Sequence, residues 1–528
     1  MADILLFNPY YSQRKEYFSF YTPAPPLGLM YLASYLRKHR IESRIFELGV
    51  FETEDVKIQK DRVRFGISDK EIREILKKEK PKIVGITSMY SIYYRDVMEI
   101  AKTIKKYNKN IKVVVGGNHA SSYFKYILKD RNIDFVVIGE GELTFLELSR
   151  TILAGKKNFS AIEGIAFYRN RKVITTKPRQ LIENLDDVPF PARDMIDLVK
   201  YSIPAKNSPY IMRHPISTIV TSRGCPQKCV YCTVKAVWGR TWRGRSANNV
   251  VDEIEELVNN YGIRELAFLD DTASLDKHRW GEICDELVRR KLNIKWMTPN
   301  GIAHWTLDKK LVKKMYKAGC YRITFGIESG NPETRKFLGK PFALKQAKEL
   351  IQYANKLGMW TICTNIIGFP YEKMDSIRDT IEYAKHCGTD FAAFFLLIPQ
   401  PTSDVYQYFR KENLLNLDHY LEDLSVNGDE FEKVNYVLNE TGCDTVYFKK
   451  EELRELQKNA YREFITYRAL SYLTNPMKII QKIHSLEDLR YVTRLLAQGL
   501  KIVARTLNPL NLKSSDYLYQ KKSLLAVR

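Results

Sequence analysis

A chain of 528 residues, 45% hydrophobic and 28% charged, is too long for one core and has the composition of a folded protein. It is therefore not a disordered or fibrous chain, and about three domains are expected. Its 84 Lys and Arg against 62 Asp and Glu leave a formal charge of +22, which brings nucleic acid, an anionic membrane surface or a phosphorylated substrate into consideration beside plain lysine-rich codon usage. The start from Met1 to Pro9 lacks the blocks of a signal peptide and no apolar run reaches the roughly 18 residues of a membrane span, so a cytoplasmic location is expected.

In the first 160 residues, short β-branched runs alternate with amphipathic helical stretches. Asp3 to Asn8, Ser43 to Leu48, Lys82 to Thr87, Ile111 to Gly116 and Asp134 to Gly139 read as five strands, with helices over Leu27 to His39 and Arg95 to Tyr107 among the segments between them. That order predicts a doubly wound, Rossmann-like parallel sheet. Ligand-binding positions of such sheets lie at strand ends and helix starts, where glycine admits close backbone approach. Gly28, Gly85-Ile-Thr87-Ser88, Gly116-Gly117-Asn118-His119 and Gly139-Glu140-Gly141-Glu142 occupy such places.

Residues 161–215 read as a hairpin over Ile165 to Lys177 and a linker containing Pro189, Pro191, Pro204 and Pro209. A second alternating series fills 216–400, with strands near Ile216 to Ser222, Glu265 to Leu269, Ile294 to Met297, Arg322 to Ile327, Thr361 to Ile366 and Phe391 to Leu397. Six strand and helix units predict a partial, TIM-like (β/α)6 barrel. Residues 401–528 read as mostly helical, with long stretches between Lys449 and Thr506.

Of eight cysteines, three fall in Thr-Ser-Arg-Gly-Cys225-Pro-Gln-Lys-Cys229-Val-Tyr-Cys232, directly after the first strand of the second series. A zinc knuckle would want a fourth Cys or His nearby, and none lies between Ile216 and His278. Three thiolates on a four-iron cluster leave one iron open for a chelating substrate. The scattered Cys284, Cys320, Cys363, Cys387 and Cys443 read as structural.

The C-x3-C-x2-C spacing, with Tyr231 before the last cysteine, resembles the radical S-adenosylmethionine superfamily. Trp238 to Ser246, Phe268-Leu-Asp270-Asp271 and Phe325-Gly326-Ile-Glu328-Ser329 resemble its cobalamin-binding branch, which includes anaerobic magnesium-protoporphyrin monomethyl ester cyclase. Together with the first domain the resemblance spans roughly three quarters of the chain. It implies that Cys225, Cys229 and Cys232 hold a 4Fe-4S cluster. It also implies that Asp270, Asp271, Gly326, Glu328 and Ser329 contact S-adenosylmethionine, and that Gly28, Thr87, Ser88, Gly116, Gly117, Asn118, Gly139, Glu140 and Gly141 line a cobalamin site. Helix capping is the bland alternative for the two aspartates, and a tight turn for residues 326–329. Two departures from the family stand out: Tyr371 replaces a glycine in Gly368-Phe-Pro-Tyr371-Glu372, and Asn8-Pro-Tyr-Tyr lacks the D-x-H-x-x-G of classical cobalamin domains. His119 is expected to be a loop histidine.

The activity implied is reductive cleavage of S-adenosylmethionine to a 5'-deoxyadenosyl radical that abstracts hydrogen from an unactivated carbon of a small-molecule or lipid substrate, followed by methyl transfer from methylcobalamin. Oxidative cyclisation or lipid or porphyrin carbon–carbon bond formation is the alternative within the family. An electron donor such as flavodoxin or ferredoxin is implied. Nucleic-acid binding, suggested by Trp238, Arg240, Trp242, Arg243 and Arg245, ranks well below. Apolar residues at helical spacing in the last hundred residues (Ile479, Ile480, Ile483, Leu489, Val492, Leu495, Leu496 and Val503), interleaved with Lys478, Lys482, Arg490, Arg494, Lys501 and Arg505, either close the barrel or lie on the inner face of a membrane.

Overall fold

The computed structural model describes residues 2–14, 24–49, 56–58, 62–201, 210–340, 343–400, 402–415 and 442–507. Pro204, Pro209 and Pro401 lie outside them, as do the side chains of Lys501, Val503 and Arg505.

The first unit contains β1 (Ile4–Asn8), β2 (Tyr11–Arg14), β3 (Ser43–Glu47), β4 (Val56–Ile58), β5 (Arg62–Phe65), β6 (Ile83–Thr87), β7 (Lys112–Gly116), β8 (Phe135–Val137), β9 (Ile165–Arg169) and β10 (Lys172–Thr175). Seven of these form one sheet in the order β10-β9-β8-β7-β6-β1-β3, and β2, β5 and β4 form a small antiparallel sheet beside it. Residues alternate across β1: Leu5 and Phe7 join the core on one face, Ile4 and Leu6 that on the other, as a strand covered on both sides requires. The hairpin anticipated as part of the linker is instead the sheet's edge. β9 pairs antiparallel with β8, Val136 opposite Ala166, because Ile165, Ala166 and Phe167 are buried and need a covered partner. The chain runs outward from β1 to β3 on one side and from β6 to β8 on the other. The sheet's switch point, where ligands of such folds bind, therefore lies between β1 and β6.

The second unit is a sheet of β11 (Ile216–Ile219), β14 (Glu265–Phe268), β15 (Lys295–Ile302), β16 (Cys320–Glu328), β17 (Trp360–Ile367) and β18 (Phe391–Leu396), hydrogen-bonded in that order and parallel throughout. Helices return each strand to its neighbour. The first, Ala247–Tyr261, starts where the Ser246 side chain accepts the Asn249 N–H, ends at Gly262 in the left-handed region, and buries Val250, Ile254 and Leu257. A two-residue ribbon of β12 (Ser222–Arg223) and β13 (Arg243–Gly244) sits on the C-terminal rim. Of the C-terminal helices Lys450–Thr474, Met477–Ile480 and Leu486–Leu507, the first packs on β18 through Phe464 and Tyr461 against Phe394. The last lies under the N-terminal ends of the strands. Among the described residues no helix is long and apolar enough to cross a membrane.

Candidate active site

The three clustered cysteines lie in the loop after β12, at the C-terminal mouth of the barrel. Asp270, at the end of β14, anchors the loop's base by accepting the Thr221 N–H (3.1 Å), the Thr221 hydroxyl (2.7 Å) and the Ser222 hydroxyl (2.5 Å). Gly224 turns at φ +87°, where a Cβ would strike the Thr241 carbonyl. The far side of the loop rests on residues 338–339: Val230 N–H bonds the Leu338 carbonyl (3.1 Å), and a Cβ on Gly339 would stand 2.8 Å from the Lys228 carbonyl. Cys229 is buried, whereas Cys225 and Cys232 are partly open. Burial pushes the Cys229 thiol up and that of Cys232 to about 11, so only the charge of bound iron would make them thiolates at neutral pH. Among the described residues no three Cys, His, Asp or Glu side chains converge on one point. A lone ion requires such convergence, but a four-iron cluster, which binds each thiolate to a different iron, does not. The loop's donor set thus fits a cluster. The other five cysteines are buried.

The remaining mouth residues divide by what already holds them. The Asp270 carboxylate is committed to the loop. Asp271 is exposed beside the loop, accepting the Gly224 N–H (3.2 Å). Neither caps a helix; that role belongs to Asp276, whose side chain accepts the Arg279 N–H. Glu328 ends β16 at φ +67°, a conformation costly for a side chain with a Cβ. It is held there by Lys340 Nζ at 2.8 Å and by Tyr231. Lys340 also faces the Trp305 ring and lies close enough to Cys229 to favour its thiolate. A Cβ on Gly326 would stand 2.9 Å from Glu328 Oε1, so glycine keeps this corner open. Ser329 is fully buried and bonded to Thr380 and the Asn331 N–H. Its side chain is therefore part of the packing, not of the mouth as the resemblance implied. Glu372 accepts the N–H groups of Gly368 and Phe369 at 2.8 and 3.3 Å, holding the loop in which Tyr371 points outward to Glu412 (3.0 Å).

The rim of the first unit faces this loop. Arg223, two residues before Cys225, reaches Glu140 (2.7 Å) and Glu142 (2.6 Å) from a buried position, and Arg243 reaches Glu140 as well (3.0 Å). Burial would raise the Glu140 pKa, but Arg243 and Arg223 outweigh it and hold the carboxylate ionised. The Glu140 side chain is thereby an anchor between the two units, and it also accepts the Ile182 N–H. Gly28 is exposed, with open space where a Cβ would stand.

Beside the anchor, at the first sheet's C-terminal edge, is a cleft of about 210 Å³ lined by Met89, Tyr90, Asn118, Tyr123, Thr233 and Gln400 among others. Tyr123 bridges the two units through Gln400 (3.3 Å). Gly117 at φ +111° has the Ser88 carbonyl 2.7 Å from its absent Cβ. Ser88 Oγ and Asn118 Oδ1 are buried without partners among the described residues. The Asn118 acceptor in the cleft wall suits a peripheral amide of a corrin, so this lining fits the edge of a cobalamin. His119 is wedged between Tyr94 and Tyr123 with Nδ1 on Ser91 (2.8 Å), and burial lowers its pKa to about 3. It is a packed histidine in the first turn of the helix Asn118–Ile127, not the loop histidine expected.

The arginines that suggested nucleic acid face inward. Arg245 pairs with Glu253, which also holds Arg193, Arg240 with Asp404 and Arg243 with Glu140, while Trp242 donates to the Thr272 carbonyl (2.8 Å). Sequence reasoning missed Arg223, Glu142 and Lys340. The first two stood inside motifs already noted, as an arginine before the first cysteine and a second glutamate in Gly-Glu-Gly-Glu. Lys340 carries no local signal.

Comparison with known proteins agrees with this geometry. Residues 219–384 match the family model described as the radical SAM superfamily, and residues 18–149 match the B12 binding domain. An uncharacterized methyltransferase of Pyrococcus horikoshii is 34% identical over 444 residues, covering 84% of this chain and 88% of the relative. The anaerobic magnesium-protoporphyrin IX monomethyl ester cyclase of Rubrivivax gelatinosus is 27% identical over 84% of this chain and 74% of its own. Among solved structures, the radical S-adenosylmethionine methyltransferase TsrM of Kitasatospora setae, with cobalamin and a [4Fe-4S] cluster bound, superposes with a TM-score of 0.65 at 19% identity, over 78% of each chain.

Proposed function

The chain belongs to the radical SAM superfamily, in the branch with an N-terminal B12 binding domain, and we propose that it methylates an unactivated carbon of a small molecule or lipid. In this reading Cys225, Cys229 and Cys232 hold the cluster, and Asp271, Gly326 and Glu328 with Lys340 form the S-adenosylmethionine side of the mouth. Ser88, Gly117 and Asn118 line the cobalamin side. When bound, the cluster supplies the electron that cleaves S-adenosylmethionine and the cobalamin supplies the methyl group. The observation that carries the reading is the juxtaposition itself: the cysteine loop is tied by Arg223 to Glu140 and Glu142 of the first unit, so both cofactors would face one space.

What the protein's own residues do is position and exclude water. Asp270, Gly224 and Leu338 fix the cysteine loop from three sides. The ammonium of Lys340 offers a cation for a carboxylate ligand, and the Glu328 carboxylate offers an acceptor for an amine or hydroxyl. Substrate identity is set by the interdomain cleft, and an acidic reductant such as flavodoxin or ferredoxin is the expected electron donor.

Anaerobic reconstitution followed by coproduct analysis tests the reading. Methyl transfer uses two molecules of S-adenosylmethionine per turnover, so S-adenosylhomocysteine and 5'-deoxyadenosine should accumulate in equal amounts. Formation of 5'-deoxyadenosine alone, with no cobalamin retained, would replace methyl transfer by cyclisation or crosslinking.

A further inference from the structure

The C-terminal apolar stripe divides in two. Ile479, Ile483, Val492 and Leu495, with Tyr491, pack beneath the barrel against Ala267, Met297, Tyr321 and Trp360. The other half is uncovered among the described residues. Leu470, Leu473, Met477 and Ile480 are 56%, 79%, 59% and 50% exposed, and Leu486, Leu489 and Leu496 are 75%, 44% and 49% exposed. Single exposed leucines are ordinary, but seven on three consecutive helical elements form a patch of the kind that marks an interaction surface.

The surroundings indicate the partner. Arg490 is exposed on the same helix as the last three leucines. Next to them, where His484 and Asp488 meet the barrel base, opens the larger described cavity of about 470 Å³, rimmed by Lys291, Lys295 and Lys317. These lysines make no ion pair among the described residues, whereas the nearby Glu487 is taken by Arg213 (2.7 Å) and Asp488 by the His484 N–H and the Ser485 hydroxyl. The face therefore combines apolar knobs with an excess of positive charge, the three lysines facing the single carboxylate of Asp488 that lines the cavity. A protein partner would disfavour lysine at such an interface. Anionic headgroups above acyl chains favour both features.

We propose that the base of the barrel, opposite the cysteine loop, docks on an anionic lipid surface. The seven apolar side chains enter the headgroup boundary and the Lys291, Lys295 and Lys317 pocket receives a lipid phosphate. The full chain should float with vesicles of phosphatidylglycerol in phosphatidylcholine at low salt and stay behind with phosphatidylcholine alone. K291Q/K295Q/K317Q should weaken flotation roughly 100-fold. L486S/L489S/L496S, at exposed positions and with an unchanged thermal transition as the control for folding, should abolish what binding survives at high salt. No flotation with the anionic vesicles, or flotation unaffected by both triple variants, overturns the proposal. A concentration-dependent doubling of mass in light scattering that the leucine variant removes assigns the face to a second copy of the chain instead.

Discussion

The two ends of the barrel are closed by opposite chemistry. At the mouth, the contact with the first unit is ionic and buried: Arg223 between Glu140 and Glu142, with Arg243 on Glu140. At the base, the seal is an apolar floor from the C-terminal helices with Lys482 buried inside it. Lys482 Nζ lies 2.8 Å from Asp390, 2.7 Å from Asn355 Oδ1 and over the Trp360 ring. Buried ion pairs add little net stability but are directional, so they suit the end where two cofactors must face each other. Apolar contact is non-directional and suits an end that needs only to be shut.

The largest expected effect separates the ends completely. Replacing Cys225, Cys229 and Cys232 with alanine should abolish visible cluster absorbance and 5'-deoxyadenosine formation while the base stays folded. A triple variant that keeps the full cluster would refute the assignment of these cysteines.

Breaking one buried pair at each end comes next. Lys482→Met leaves the Asp390 carboxylate buried and should cost about 3–5 kcal/mol of barrel stability in denaturant unfolding. Arg223→Met strands Glu142 and leaves Glu140 to Arg243 alone, at a similar local cost, but should appear as faster proteolysis of the stretch between the units, with the barrel's own transition little moved. If both variants lower the same transition equally, the two ends are one cooperative unit and the contrast fails.

The smallest effect concerns pH at the mouth. Burial raises the Glu372 pKa from an ordinary 4.5 to about 7, against the two N–H groups it accepts, and its second oxygen has no partner among the described residues. Because the folded-state value is raised, its contribution is fully present below about pH 4.5 and is lost as pH rises through 7. Glu372→Gln, which can still accept both N–H groups, should therefore leave stability unchanged at pH 4 and raise it by up to about 3 kcal/mol at pH 8. A difference independent of pH would show that the glutamate is ionised throughout.

Much of the architecture was legible because its signals are local. Each of the eleven strand positions read from periodicity holds a strand, with ends shifted by a few residues, as in Asp3 to Asn8 against Ile4–Asn8 and Ile294 to Met297 against Lys295–Ile302. The hairpin at Ile165 is legible as a hairpin ahead of the linker, but its place at the edge of the first sheet is not, since strand character says nothing about which sheet edge a hairpin joins. The site was less legible. Asp270, Glu140 and Ser329 stand where sequence placed them, yet their side chains are engaged by Thr221 and Ser222, by Arg223 and Arg243, and by Thr380.

Sequence by itself determined the order of the two α/β units, the helical end and the cysteine loop with its glycine turn, since each depends on residues within a few positions of one another. Only the tertiary structure decided which charges neutralise which and which half of the C-terminal stripe is covered. Arg223 meets Glu140 across 83 positions, Lys482 meets Asp390 across 92 and Arg213 meets Glu487 across 274. A side chain's charge and hydropathy are written locally, but the partner that buries or neutralises it is chosen by how distant elements pack.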